Sequence, residues 1–116
     1  GPASHYRFVI TGRDGTLLGY TCFGPIPGTR SGWDLYWIAV RHGAQGQHLG
    51  RDLLEITERA VQAAGGTRLY AETSSRAQYE PTRGFYRRRG YAVAAQLPEF
   101  YGPGDDKVVY AKSLGI

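Results

Sequence analysis

At 116 residues the chain is sized for one folded domain, and its 41% hydrophobic and 21% charged residues exclude a disordered chain. Its apolar runs are only a few residues long, which excludes a membrane-spanning helix, and no basic-then-apolar leader opens it. The net charge of +4 rests on arginine, twelve of the fourteen basic residues, with four crowded into Arg83–Arg89, a face suited to a phosphate-bearing partner.

The pattern predicts a strand over Tyr6–Thr11 with Phe8 and Ile10 on one face. Gly12-Arg13-Asp14-Gly15 reads as a hairpin turn, because Asp-Gly accepts the positive φ angles such turns require. Thr16–Phe23 is its antiparallel partner, and Gly24-Pro25-Ile26-Pro27-Gly28 then opens a loop that runs to about Gly32. Trp33–Val40, dense in aromatic and β-branched residues, reads as the central strand. Leu49–Ala64 is the long helix, with Leu49, Leu53, Ile56, Ala60 and Ala64 on one stripe widened by Leu54 and Val61. Glu55 and Arg59 are spaced for an i,i+4 pair, and Gly65-Gly66 stops the helix. A strand over Arg68–Thr73 follows, then a short helix from Pro81 to Arg89, closed by Gly90. Strands Tyr91–Gln96 and Lys107–Ser113 end the chain, joined by a Pro- and Gly-rich loop over Leu97–Asp106. The order β-β-β-α-β-α-β-β, with hairpins at both ends and a βαβ crossover between, implies an α+β fold: a mixed sheet with helices packed on it.

A single cysteine, Cys22, excludes an intramolecular disulfide and fits a reducing, cytoplasmic setting; in a strand it reads as a small buried apolar residue. There is no Met, and Gly1-Pro2 resembles the remnant of a cleaved tag. The expectation is a disordered remnant over residues 1–5 and a single domain over 6–116, cut from a longer protein or forming one domain of it. His5, His42 and His48 lack metal-ligand spacing, so no metal is expected.

The chemistry concentrates between Trp37 and Arg51. A buried strand, a short glycine-bearing loop (Arg41 to Gly46) and a helix start follow one another. Free N–H groups at a helix start favour anions, and Arg51 adds charge in the first turn. No Lys-Ser or Lys-Thr follows, so this is not a P-loop, and the glycine spacing fails the dinucleotide fingerprint. By spacing alone a plain helix entry suffices.

Gln45-Gly46-Gln47-His48-Leu49-Gly50 resembles the pyrophosphate-binding motif, Gln/Arg-x-x-Gly-x-Gly/Ala, of the GNAT superfamily of N-acetyltransferases. Gly84-Phe85-Tyr86-Arg87-Arg88-Arg89-Gly90-Tyr91 resembles the family's aromatic-Tyr-x-x-x-Gly-aromatic segment. The element order matches as well, over Tyr6 to Leu114. Two departures stand out: His48 occupies a position where the family usually has Gly, and the family's opening strand and helices, which wall the acceptor site, are not in this sequence. Positive φ is more accessible to His than to most residues, and its imidazole could crowd the pyrophosphate or hydrogen-bond it.

The resemblance implies a GNAT-like fold, a central mixed and mostly antiparallel sheet of about six strands with two helices. It implies acetyl-CoA or another acyl-CoA as donor, with Ile38, Ala39 and Val40 bonding the pantetheine arm through their backbone. Gln45, Gly46, Gln47, His48, Leu49, Gly50 and Arg51 would hold the pyrophosphate, and Tyr79, where many relatives have an Asn, would touch the cofactor. Tyr86 matches the tyrosine that protonates the departing thiolate, as a phenol of pKa ~10 can. Asp34 and Glu72 are the candidates for taking the amine's proton, directly or through water. Tyr36 and Tyr101 would border the acceptor, an aromatic beside Asp105-Asp106 suiting a cationic amine. Plainer readings accompany each: Tyr86 and Tyr79 as packing residues, Asp34 as a strand-entry residue, Glu72 as a salt-bridge partner, Asp105-Asp106 as turn chemistry.

The reading is an N-acetyltransferase acting on a primary amine in a ternary complex, the acceptor unidentified. Its alternative is a non-catalytic GNAT-like module that binds acyl-CoA or another protein. The reading admits fused domains and a homodimer. Nucleic-acid binding through Arg83–Arg89 ranks last, because no recognition motif accompanies the charge.

Overall fold

Six strands and two helices follow the expected order in the computed structural model, which describes residues 6–45 and 48–115. The expected remnant over residues 1–5 lies outside the described residues, as do Gly46 and Gln47 of the predicted pyrophosphate loop. Strands β1 (Arg7–Arg13) and β2 (Thr16–Pro25) form the first hairpin. Its turn rests on Asp14 and Gly15, at φ 53° and 78°, the mirror-image geometry that matches strand twist. Strand β3 (Gly32–Val40) leads to helix α1 (Leu49–Ala63) and strand β4 (Arg68–Ser74). A single 3-10 turn over Ala77–Tyr79 precedes helix α2 (Glu80–Arg88), and β5 (Ala92–Gly102) and β6 (Asp105–Ser113) close the chain.

The strands form one sheet in the order β1-β2-β3-β4-β6-β5. Every neighbouring pair is antiparallel except β3 and β4, which the α1 crossover makes parallel. Leu53, Leu54 and Val61 of α1 are buried, and Leu54 and Val61 join the core of Phe23, Trp33, Leu35, Leu69 and Ala71 from the sheet. Each buried Leu, Val or Phe side chain contributes about 1.5–3 kcal/mol on burial. Tyr86 of α2 joins the same core beside Tyr91 and Tyr110, so both helices cover one face. Val9 packs against that core while Phe8 and Ile10 point the other way, 57% and 67% exposed. Cys22 is buried, and burial pushes its thiol pKa up.

Two expectations need correcting. The buried face of α1 is rotated from the predicted stripe: Ile56 is exposed, while Thr57 and Glu58 are buried. The polar pair is stabilised by partners far along the chain. Thr57 bonds Thr21 at 2.6 Å and donates to the Leu53 carbonyl, and Glu58 accepts from the Tyr91 hydroxyl at 2.7 Å and from Lys112. No ion pair joins Glu55 and Arg59, which are both exposed.

The second correction concerns Leu97–Asp106, expected as a loop. It is the continuation of the last hairpin, whose turn is only Pro103-Gly104. Pro98 is tolerated because β5 is the edge strand, where a missing N–H need not break a ladder. The register slips between Leu97 and Gly102, and Glu99 sits at φ 54°. Asp106 anchors this irregularity, accepting from the Glu99 N–H and from Gln96, and both bonds hold its carboxyl below the usual range.

Gly66 sets how closely the crossover returns to the sheet. A Cβ there would collide with Val61 and Trp33, so only glycine lets the chain pass under α1 into β4.

Candidate functional site

The site begins as a defect in the sheet. β3 and β4 pair only from Gly32 opposite Arg68 to Leu35 opposite Ala71, although both strands run further. Where the pairing stops, β3 carries an extra residue against β2: Cys22 faces Trp37 and Phe23 faces Leu35, leaving Tyr36 as a bulge. A bulge bends its strand and strengthens the local twist. The strands therefore splay, and a cavity of about 490 Å³ opens between them, floored by Ile38 and Tyr86 and walled by Glu72–Ser74 and the start of α2.

Tyr86 is 4% exposed, held by Phe85, Tyr91 and Tyr110 with ring centroids 5.6, 5.6 and 5.8 Å away. Its side chain lines the cavity, and no described residue hydrogen-bonds its hydroxyl. Burial alone pushes its pKa up to about 12. Glu72, Tyr36, Tyr79 and Tyr101 line the same cavity. Glu72 is paired with Lys107 at 3.2 Å. Asp34 does not line it. It stands two residues before the bulge, and its carboxyl is raised above the ordinary range by burial first and by Glu72 second, with Lys107 acting oppositely. The Tyr36 phenol is raised as well, by burial and then by Asp34.

Sequence reasoning missed other members of this wall. Arg76 pairs with Asp105 at 3.1 Å, and Asp105 accepts from Ser74 in turn. Thr73, Gln78, Thr82 and Trp37 also line the space. Their common signal is proximity to the strand splay, and the bulge that causes it leaves no mark in the residue pattern.

Further along β3 a second cavity of about 430 Å³ lies between Val40, the start of α1 and the far end of α2. Gln45, His48, Leu49, Gly50 and Arg51 line it, together with Phe85, Arg88 and Arg89. Ala39 lines neither cavity and pairs with Tyr20. His48 adopts the left-handed conformation, φ 60° and ψ 17°, at the N-terminus of α1. A Cβ on Gly50 would lie 3.4 Å from the Phe85 ring, at van der Waals contact, so α1 and α2 lie side by side here. Three guanidiniums and an imidazole line this cavity and no carboxylate among the described residues does, a lining fitted to an anion. Among the described residues, no helix is long and apolar enough to cross a membrane.

Comparison with known proteins agrees with this geometry. A protein assigned to the GNAT family of acetyltransferases from Desulfovibrio desulfuricans superposes with a TM-score of 0.96 at 44% identity, covering 99% of this chain and 72% of its own. An aminoglycoside 6′-N-acetyltransferase solved with coenzyme A gives 0.85 at 21% identity, covering 97% and 74%. YncA from Salmonella typhimurium, solved with its cofactor acetyl-CoA, gives 0.81 at 24%, covering 96% and 66%. A search of curated proteins returns no match. The Acetyltransferase (GNAT) family matches residues 2–91, and with that match and the near relative the chain belongs to the GNAT acetyltransferase family.

Proposed function

We propose that the chain transfers an acetyl group from acetyl-CoA to a primary amine by direct attack in a ternary complex. The observation that carries this is two cavities set along the same strand: the splay between β3 and β4, lined by Ile38 and Tyr86, and the cationic cavity at the start of α1, lined by Val40 and Phe85. The complexes of two fold neighbours with coenzyme A and acetyl-CoA support the choice of donor.

In this reading the thioester supplies the activated acyl group. The backbone of Ile38, Ala39 and Val40, unpaired on the β4 side, bonds the pantetheine arm as an added strand would. Gln45, Gly46, Gln47, His48, Leu49, Gly50 and Arg51 hold the pyrophosphate on the start of α1. Tyr79 lines the donor's path from the 3-10 turn ahead of α2, and Tyr36 and Tyr101 border the amine.

Glu72 takes the amine's proton, through a water where the distance requires it, because it reaches the cavity and Asp34 does not. Asp34 raises the local negative potential from behind. Tyr86 faces the departing sulfur. A phenol of pKa about 12 lies roughly 3 units above an ordinary thiol, so outright transfer is uphill by about 4 kcal/mol. Its first contribution is therefore a hydrogen bond donated to the sulfur, and the proton follows as charge builds there. The same desolvation raises the thiol's own pKa and narrows the gap.

The lone buried Cys22 suits a cytoplasmic protein. Calorimetric titration of acetyl-CoA, beside thiol release with and without a panel of amines, tests the reading. Saturable binding with amine-dependent release supports it. Binding without release under any amine would favour the module that binds acyl-CoA without turnover.

A further inference from the structure

The four arginines of residues 83–89 divide into two pairs with different fates. Arg83 and Arg87 both reach Glu80, at 3.0 and 2.5 Å, and their hydrogen bonds, Arg87's first, hold that carboxyl below its ordinary range. Arg88 and Arg89 form no ion pair among the described residues, and the Nε of Arg89 is buried without a hydrogen-bond partner. A neighbouring cavity holds both arginines with Glu55 and Glu58, but Glu55 forms no ion pair with them and Glu58 is held by Tyr91 and Lys112.

Both arginines line the cationic cavity beside Arg51. Arg88 folds back across its own helix, its Nη1 3.0 Å from where a Cβ on residue 84 would stand, so Gly84 leaves room for that placement. An unpaired, partly dehydrated guanidinium is costly unless an anion completes it. The start of α1 with Arg51 already matches one pyrophosphate. Coenzyme A carries a further phosphate, a monoester on the ribose 3′ oxygen, with close to two negative charges at neutral pH.

We infer that Arg88 and Arg89 bind the ribose 3′-phosphate of the donor and make the chain selective for coenzyme A over its 3′-dephospho form. This rests on the donor reading above. Charge-assisted bonds from guanidinium to phosphate are among the stronger polar contacts, which sets the expected size of the preference.

The test is calorimetric titration of coenzyme A and of 3′-dephospho-coenzyme A into the parent chain and into an Arg88→Ala, Arg89→Ala double variant. The parent should bind coenzyme A about tenfold more tightly or better, and the double variant should bring the ratio close to one. Equal affinity of the parent for both ligands overturns the inference while leaving the donor reading intact. So does a double variant that weakens both ligands alike and keeps the ratio. If the parent binds neither ligand, the donor reading falls and this inference with it. The parent's own ratio needs no variant to fold.

Discussion

The wide cavity at the splay end of β3 and the narrower one at its α1 end manage charge in opposite ways. At the wide end every carboxylate on the wall has a cationic partner, Glu72 with Lys107 and Asp105 with Arg76, and Tyr86 is clamped among aromatic rings. At the narrow end three guanidiniums share a wall with no carboxylate among the described residues. Groups that must hold a position are neutralised and packed in advance, whereas Arg88 and Arg89 are left for a ligand to neutralise, Arg51 alone of the three having a partner, Asp52 at 3.2 Å. The largest expected effects therefore separate cleanly, rate at one end and affinity at the other.

Tyr86→Phe should lower kcat by about 10²–10⁴-fold while leaving the acetyl-CoA Kd unchanged, read by thiol release beside calorimetry. A matching loss of affinity would make Tyr86 part of the donor's grip and erase the contrast. Arg51→Ala should do the reverse, weakening acetyl-CoA about tenfold with little change in turnover at saturation. Its salt dependence should flatten too, since fewer ions are displaced on binding.

His48→Gly touches the narrow end through the backbone. A side chain in the left-handed region costs about 1 kcal/mol that glycine avoids, so the variant should be more stable by up to that amount in urea. If affinity for acetyl-CoA falls in the same variant, the imidazole bonds the phosphate. If affinity rises, it crowds the phosphate.

Asp34→Asn gives the smallest effect and tests the wide end's electrostatics. The folded chain holds this proton more tightly than the unfolded chain does, because burial and Glu72 raise its pKa. The resulting penalty is absent below about pH 3.9, grows as pH rises through the folded value, and is complete at neutrality. The variant should melt higher than the parent at neutral pH and equal to it in acid. A gain that persists in acid would point to packing instead of charge.

Much of this was legible in the sequence because it depends on neighbours in the chain. The Asp14-Gly15 turn, the element order and the helix start at Leu49 follow from local conformational preference. What was misread depends on partners far away. Thr57 and Glu58 look like surface residues until Thr21, Tyr91 and Lys112 are brought to them. Leu97–Asp106 looks like a loop until its place at the sheet edge makes Pro98 harmless. In the site, Tyr86 was found through its motif, whereas the bulge at Tyr36 arises from a register between two strands that neither encodes alone. Arg88 and Arg89 were visible as charge, but separating them from Arg83 and Arg87 needed the position of Glu80.

The short parallel seam has a mechanical consequence. Four ladder pairs, extended by the bonds between Ser31 and Thr67, are the backbone seam between the β1-β2-β3 half of the sheet and the β4-β6-β5 half, which otherwise meet through the shared core. Beyond Leu35 the facing edges of both halves are solvated, so their amides should exchange with deuterium well before those of the β2–β3 and β4–β6 ladders. A ligand lying in the gap would replace the missing rungs and add to the coupling that the shared core already gives the two halves. Occupancy would then be felt as cooperativity, with the halves melting together when the gap is filled and more loosely when it is not.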